Sequence, residues 1–235
     1  MSIYISASLI EDFISCNRKV FYRLNHSDLQ EQTVETVVGN SVHKALELFW
    51  DDEEKAVSFV SEDIQSLVGS NYTAIDYAVT CIDNYFKNFR QFLHYGDLIE
   101  KKFKIPYSSD VFIVGKMDRI SNGSVFDWKT ARRPKTNVSK TVQFILYDWA
   151  YRKLYGSSPA GVYYASLLNG NAVMYKQDKV AMSVLFEEVI PQVIRAVKNK
   201  DFTANGIFRY ACHNCNYSSS CLKEIENNVV DTENK

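Results

Sequence analysis

Two aspartates and a lysine stand close together in Gly115–Thr130, which reads GKMDRISNGSVFDWKT. Asp127 comes nine positions after Asp118, and Lys129 two positions later. Between the aspartates, Asn122-Gly123 is a hairpin signal, because both central residues of a type I′ turn need φ > 0. Counting outward from that turn pairs Ser121 with Ser124, Ile120 with Val125, Arg119 with Phe126 and Asp118 with Asp127. Side chains alternate along a strand, so Asp127 and Lys129 share a face and Asp118 lies across from Asp127. Facing like charges destabilise a sheet. The chain therefore either keeps one carboxyl protonated or holds a cation between the two; an exposed hairpin with two solvated aspartates is the alternative. Lys129 favours the chemistry. Carboxylates that hold a hard divalent cation, beside an ammonium that orients the attacking water and steadies negative charge, suit phosphodiester hydrolysis.

These residues have to be positioned by the elements around them. Strands are expected at Leu98–Pro106, Val111–Arg119 and Val125–Lys129, as an antiparallel meander. On the first of these, Glu100 reads as a surface residue of an edge strand, with a place in the acidic site as the alternative. Ser6–Arg23 has helical periodicity, with Leu9, Phe13, Cys16 and Val20 on one face and Ser8 as N-cap. A second helix is expected from Glu35 to Trp50. Gly39 inside it costs about 1 kcal/mol relative to Ala, which points to a close approach by another backbone or a ligand. Helices at Asp52–Val68 and Tyr72–Tyr95 carry no chemistry and read as an insert over about residues 51–96, forming a cap or lid. Cys81 belongs to their apolar stripe. Ser139–Leu154 reads as a helix stopped by Gly156, with Gln143, Tyr147 and Tyr151 four apart on one face. Gly161–Leu168 and Ala172–Lys176 flank a second Asn-Gly turn. Ala181–Val197 is helical, with Pro191 as a kink. The stretch after residue 225 is polar and acidic, and disorder is expected over 226–235.

A chain of 235 residues with 46% hydrophobic and 23% charged residues can bury a sizeable core, and residues 1–225 read as one α/β domain. The net charge of −1 supplies no global basic field, so a nucleic-acid partner must be held by local patches. Arg18, Lys19, Arg132, Arg133, Lys135 and Lys140 are candidates for one. There is no run of eighteen apolar residues and no basic, apolar leader at Met1–Leu9, which reads as a soluble cytoplasmic protein. No Walker-type phosphate loop is present. Five cysteines argue against a secreted disulfide framework and for metal or cluster ligation. Cys212, Cys215 and Cys221 supply three thiolates within ten residues. A tetrahedral site needs a fourth ligand, for which Cys16, Cys81 and His213 are the candidates.

Asp118…Asp127-Trp128-Lys129 resembles the PD-(D/E)xK nuclease superfamily, with Met117 where its name has a proline. The lone early Cys16 with the late Cys212-x2-Cys215-x5-Cys221 resembles the iron–sulfur staple of RecB-like exonucleases, the group that includes AddB-type recombination nucleases, the exonuclease V family and CRISPR-associated RecB-like exonucleases. Ser6-Ala7-Ser8…Cys16-Asn17-Arg18-Lys19…Tyr22 resembles their first ligand segment, Gly39-x3-His43 their metal-binding helix, and Gln143-x3-Tyr147 their Q-x3-Y. The order holds from residue 6 to residue 221.

The resemblance implies a restriction-endonuclease-like core, a mixed sheet flanked by helices, with residues 206–225 as the C-terminal cluster-binding segment. It implies that His43, Asp118, Asp127 and the Trp128 carbonyl bind Mn²⁺ or Mg²⁺, that Lys129 positions the attacking water, and that Gln143 and Tyr147 support the active site or the strand. It makes Cys16 the fourth ligand of a 4Fe–4S cluster with Cys212, Cys215 and Cys221. The implied activity is metal-dependent DNA hydrolysis, exonucleolytic on single-stranded ends, in recombination, repair or CRISPR adaptation. A non-catalytic DNA-binding scaffold and a zinc-stapled nuclease remain as alternatives.

Overall fold

The chain enters its fold as a short strand, β1 (Ile3–Ile5), and turns at once into α1 (Ala7–Ser15). This is a computed structural model, and it describes residues 2–209 and 211–233. The N-cap of α1 is Ser6 rather than Ser8: its side chain accepts the Leu9 N–H at 3.2 Å. The single helix expected over Ser6–Arg23 is two. Cys16 is extended, at φ −164° and ψ 124°, and α2 (Asn17–Asn25) starts after it. The cause is distant in sequence. Asn17 N–H donates to Asn205 Oδ1 at 3.0 Å, and Gly206 N–H donates to Cys16 Sγ at 3.2 Å.

Three helices follow: α3 (Val34–Leu48), α4 (Glu53–Val68) and α5 (Tyr72–Asn88). Thr33, Asp52 and Asn71 cap them, each accepting a main-chain N–H from the first turn. α5 stops short of the expected Tyr95 and passes into a 3₁₀ turn at Arg90–Phe92. Then come β2 (Leu98–Pro106), β3 (Val111–Ser121), β4 (Ser124–Lys129) and α6 (Val142–Tyr155), the last ended by Gly156 at φ 70°. A second hairpin, β5 (Gly161–Ser166) and β6 (Asn171–Met174), precedes α7 (Lys179–Ser183) and α8 (Ile190–Asn199). Val184–Val189, between those two helices, is π-helical. Pro191 has no N–H to give to the preceding turn, and the Tyr107 hydroxyl donates to the Phe186 carbonyl there at 2.6 Å. The polar tail expected to be disordered is instead the second half of α9 (Ser218–Glu233), with residues 234 and 235 outside the described ones. Arg18 pairs with Glu224, and Tyr22 donates to it at 2.6 Å. A helix anchored in this way extends at one hydrogen bond per added residue.

The sheet is mixed, in the order β1-β3-β4-β5-β6 with β2 also on β3. β1 is parallel to β3, β4 is parallel to β5, and the other pairs are antiparallel. β2 pairs with one edge of β3 almost from end to end. The other edge is shared, with β1 at Val111–Ile113 and β4 at Arg119–Ser121. Among the described residues, Val114–Asp118 has no strand beside it on that edge, and the sheet splits there.

Each face of the sheet has its own apolar layer. α1, α6 and α8 bury Leu9, Ile145 and Val193 against Ile113, Met117 and Val125. α3, α4 and α5 bury Val42, Val60, Ile82 and Tyr85 against Trp128, Ala165 and Leu167. The helices expected as a cap or lid are therefore a core layer, and Cys81 is fully buried within it. No helix is long and apolar enough to cross a membrane among the described residues.

Candidate active site

Asn122 and Gly123 have φ of 46° and 76°, the left-handed pair that a type I′ turn requires. The hairpin register runs as counted through Ser121–Ser124, Ile120–Val125 and Arg119–Phe126. At the fourth pair the strands part. The Asp118 carboxylate, not its backbone, takes the Trp128 N–H, at 2.8 Å. A side chain thus stands in for a ladder bond and wedges β3 from β4. Both aspartates are buried, Asp118 at 6% and Asp127 at 1% exposure.

Five elements, β2, β3, β4, α3 and α6, border this split, around a cleft of about 330 Å³. Lys129 Nζ lies 2.7 Å from Asp127 Oδ2, and among the described residues this oxygen has no partner besides the ammonium. α3 supplies His43, whose Nδ1 is 3.5 Å from Asp118 Oδ2. Gly39, one turn earlier, explains how the helix comes so near. A Cβ there would stand 3.3 Å from Thr130 Oγ1, so a bare Cα lets α3 lie against the end of β4. α6 supplies Tyr147, whose hydroxyl receives Gln143 Nε2–H at 2.8 Å. Its one proton has two acceptors, the Lys116 carbonyl at 2.6 Å and Asp127 Oδ1 at 3.1 Å. The first satisfies a main-chain group on the unpaired edge of β3. Tyr151, the third residue on that stripe, is buried in the apolar layer.

β2 contributes Glu100, for which the sequence favoured the surface and kept the acidic site as the alternative. Glu100 has φ 51°, left-handed for a residue with a side chain. The β2–β3 ladder pairs Ile99 with Arg119 and Lys101 with Met117 and skips Glu100 between them. The local turn sends its carboxylate into the cleft, where donor atoms of His43, Glu100 and Asp118 lie within 4.8 Å of one another. Backbone strain of this kind gathers at functional sites. Nothing in the residue pattern announces it. Lys116 pairs with Glu100; in the sequence its signal is a cation two positions before Asp118.

The electrostatics follow from burial and crowding. Desolvation first, and the Asp127 charge second, raise the Asp118 pKa well above its ordinary value. Burial lowers His43 to about 4, against the pull of Asp127, and the Trp128 main chain also hydrogen-bonds the ring. Burial opposes the Lys129 charge, yet Asp127 outweighs it and holds the ammonium above its usual pKa. A neutral imidazole beside carboxylates is a donor set for a divalent ion that accepts both oxygen and nitrogen.

The remaining expected residues lie elsewhere. Cys16, Cys212, Cys215 and Cys221 border one cavity at the meeting of α1, α2 and α9. Among the described residues no three of their sulfurs come within 4.8 Å of one another. Of the basic candidates, Arg18 pairs with Glu224 and Lys19 with Asp12, so neither is a free phosphate contact. Arg132, Arg133, Lys135 and Lys140 are exposed on the loop after β4, with Arg132 over the Tyr77 ring at 4.6 Å.

No curated protein matches the chain. A family model described as the PD-(D/E)XK nuclease superfamily matches residues 4–222, from β1 into α9 and across every element that borders the cleft. A match of that extent shows the family: the chain belongs to the PD-(D/E)XK nuclease superfamily.

Proposed function

We propose that the protein is a divalent-metal-dependent deoxyribonuclease of the RecB-like kind, acting as an exonuclease on single-stranded ends in recombination, repair or CRISPR adaptation. The observation that carries the nuclease reading is the split between β3 and β4. It puts two buried carboxylates, a lysine, an imidazole and the Glu100 carboxylate around one cleft. His43, Glu100, Asp118, Asp127 and the Trp128 carbonyl would hold Mn²⁺ or Mg²⁺, with the imidazole favouring Mn²⁺. The ion, when bound, supplies Lewis acidity and a water of lowered pKa. Lys129 would orient the attacking water and counter the negative charge that develops on the phosphate, while Asp127 fixes the ammonium at 2.7 Å. Tyr147 and Gln143 hold the opened edge of β3 in place and face the strand. The exposed basic loop from Arg132 to Lys140 gives the strand a phosphate-binding border. The single-strand and exonuclease parts rest on the likeness of the motif set to RecB-like exonucleases.

A 4Fe–4S cluster on Cys16, Cys212, Cys215 and Cys221 would tie the two ends of the domain together. The shared cavity supports it, as does the Gly206 N–H on Cys16 Sγ, a bond suited to a ligating thiolate.

Digestion of 5′- and 3′-labelled single strands, duplexes and single-stranded circles, with Mn²⁺ or Mg²⁺, tests the activity. Linear single strands should shorten from an end while circles survive. Cutting of circles removes the exonuclease reading. No cutting with either ion leaves a non-catalytic DNA-binding protein.

A further inference from the structure

Lys116 lies two residues before Asp118, on the stretch of β3 whose second edge is open. Its backbone is fixed, since its carbonyl accepts the Tyr147 hydroxyl at 2.6 Å. Its side chain is 45% exposed at the cleft and ion-pairs with Glu100. That carboxylate is claimed twice: it belongs to the donor group with His43 and Asp118, and it is the anion that Lys116 holds. Two cations on one carboxylate repel each other, so any ion drawn to this donor group competes with the ammonium. The other lysines of the cleft are placed differently. Lys129 pairs with Asp127 at 2.7 Å and is 30% exposed, deeper than Lys116. Lys44 pairs at 2.9 Å with Glu47, which is outside the donor group.

We propose that Lys116 is a positioning and strand-binding residue that exchanges partners, giving up Glu100 as that carboxylate turns to a divalent ion and contacting a backbone phosphate of the bound DNA instead. Metal binding and strand binding are then coupled through one side chain. A long, half-exposed lysine on an anchored backbone can make this exchange by rotating its side chain alone. The inference rests on the reading of the cleft as a nuclease centre.

Mn²⁺ affinity by calorimetry, and affinity for a labelled single-stranded oligonucleotide across a salt series with Ca²⁺ in place of Mn²⁺, test it on wild type, Lys116→Met and Lys116→Arg. Lys116→Met should bind Mn²⁺ about twofold to fivefold more tightly, the worth of a partly exposed pair. It should bind the oligonucleotide more weakly, with a salt slope smaller by about 0.7, one single-strand phosphate contact. Lys116→Arg should keep the wild-type slope. Unchanged or weaker Mn²⁺ binding by Lys116→Met, or an unchanged slope, overturns the exchange. If wild type cleaves DNA while these quantities fail to move, only the exchange falls. If wild type binds neither Mn²⁺ nor the oligonucleotide, the nuclease reading falls and takes the exchange with it.

Discussion

Asp118 does two jobs that pull its protonation in opposite directions. It accepts the Trp128 N–H at 2.8 Å, and it faces Asp127 in a buried cleft that raises its pKa. Above the unfolded value of 3.8, the folded chain keeps a proton on this group that the unfolded chain has lost. Its contribution to stability therefore declines as pH rises through the folded pKa. His43 acts in reverse. Its pKa falls from 6.5 to about 4, so the unfolded chain binds more protons between those values and stability climbs with pH across that window. Asp118→Asn keeps an oxygen for the Trp128 N–H and removes the first effect. Its melting temperature in chelator, followed from pH 4 to 8, should rise more steeply with pH than that of wild type. A parallel curve refutes the assignment of burial and crowding to Asp118. Its turnover should drop by more than about 10²-fold, because even residues that merely support a metal ligand are worth 10- to 100-fold. Lys129→Met separates binding from chemistry. An ammonium repels cations, so the variant should bind Mn²⁺ at least as tightly as wild type in calorimetry while losing cleavage. Normal cleavage, or loss of Mn²⁺ binding, contradicts its role.

At the scale of elements, the site depends on how near α3 lies to the end of β4. Gly39 sets that distance through Thr130 Oγ1, 3.3 Å from where a Cβ would be. Gly39→Val should push the helix outward, carry His43 away from Asp118 and weaken Mn²⁺ binding by about tenfold or more. The double variant with Thr130→Ala should recover part of that loss, because the two side chains collide with each other and not with separate neighbours. Strictly additive effects in the Mn²⁺ titration would show that Gly39 acts through something other than this contact. The split sheet depends on the same kind of local substitution. Strand β3 gives up a neighbour at Val114–Asp118, and the Tyr147 hydroxyl and Asp118 carboxylate take up main-chain groups near the gap.

At the scale of the molecule, the two ends of the chain meet at the cysteine cavity. α2 holds α9 through Arg18 and Tyr22 on Glu224, and the stacked Tyr22 and Tyr217 rings lie 5.4 Å apart. The fifth cysteine is remote from them: Cys81 is wholly buried in the α3–α5 layer, and burial pushes its pKa to about 12. Parallel anaerobic preparations should therefore give brown, soluble Cys81→Ala, at a packing cost of about 1 kcal/mol. Cys16→Ala should be colourless and aggregation-prone, because the proposed cluster, which would close almost the whole chain, would lose one of its four ligands. The opposite colours would move the ligand set to the α3–α5 layer. Zinc in colourless wild-type protein would replace the cluster by a single ion.

Local patterns in the sequence determined the turn at Asn122-Gly123, three of the four counted pairs beside it, and most helices. A type I′ turn needs only two residues of suitable conformation, and helical periodicity needs only one apolar face. The expected grouping of His43 with the two aspartates came from resemblance; the packing of α3 through Gly39 brings His43 beside Asp118, and the donor group it joins there has Glu100 as its third member. What no local pattern carried came from contacts between distant residues. The break at Cys16 is made by Asn205 and Gly206. The left-handed Glu100 is settled opposite Asp118 in a neighbouring strand. The open edge of β3 exists because β1 and β4 each take only part of it. Each of these costs local backbone pairing or regular geometry, and only partners brought in by the tertiary fold compensate for it.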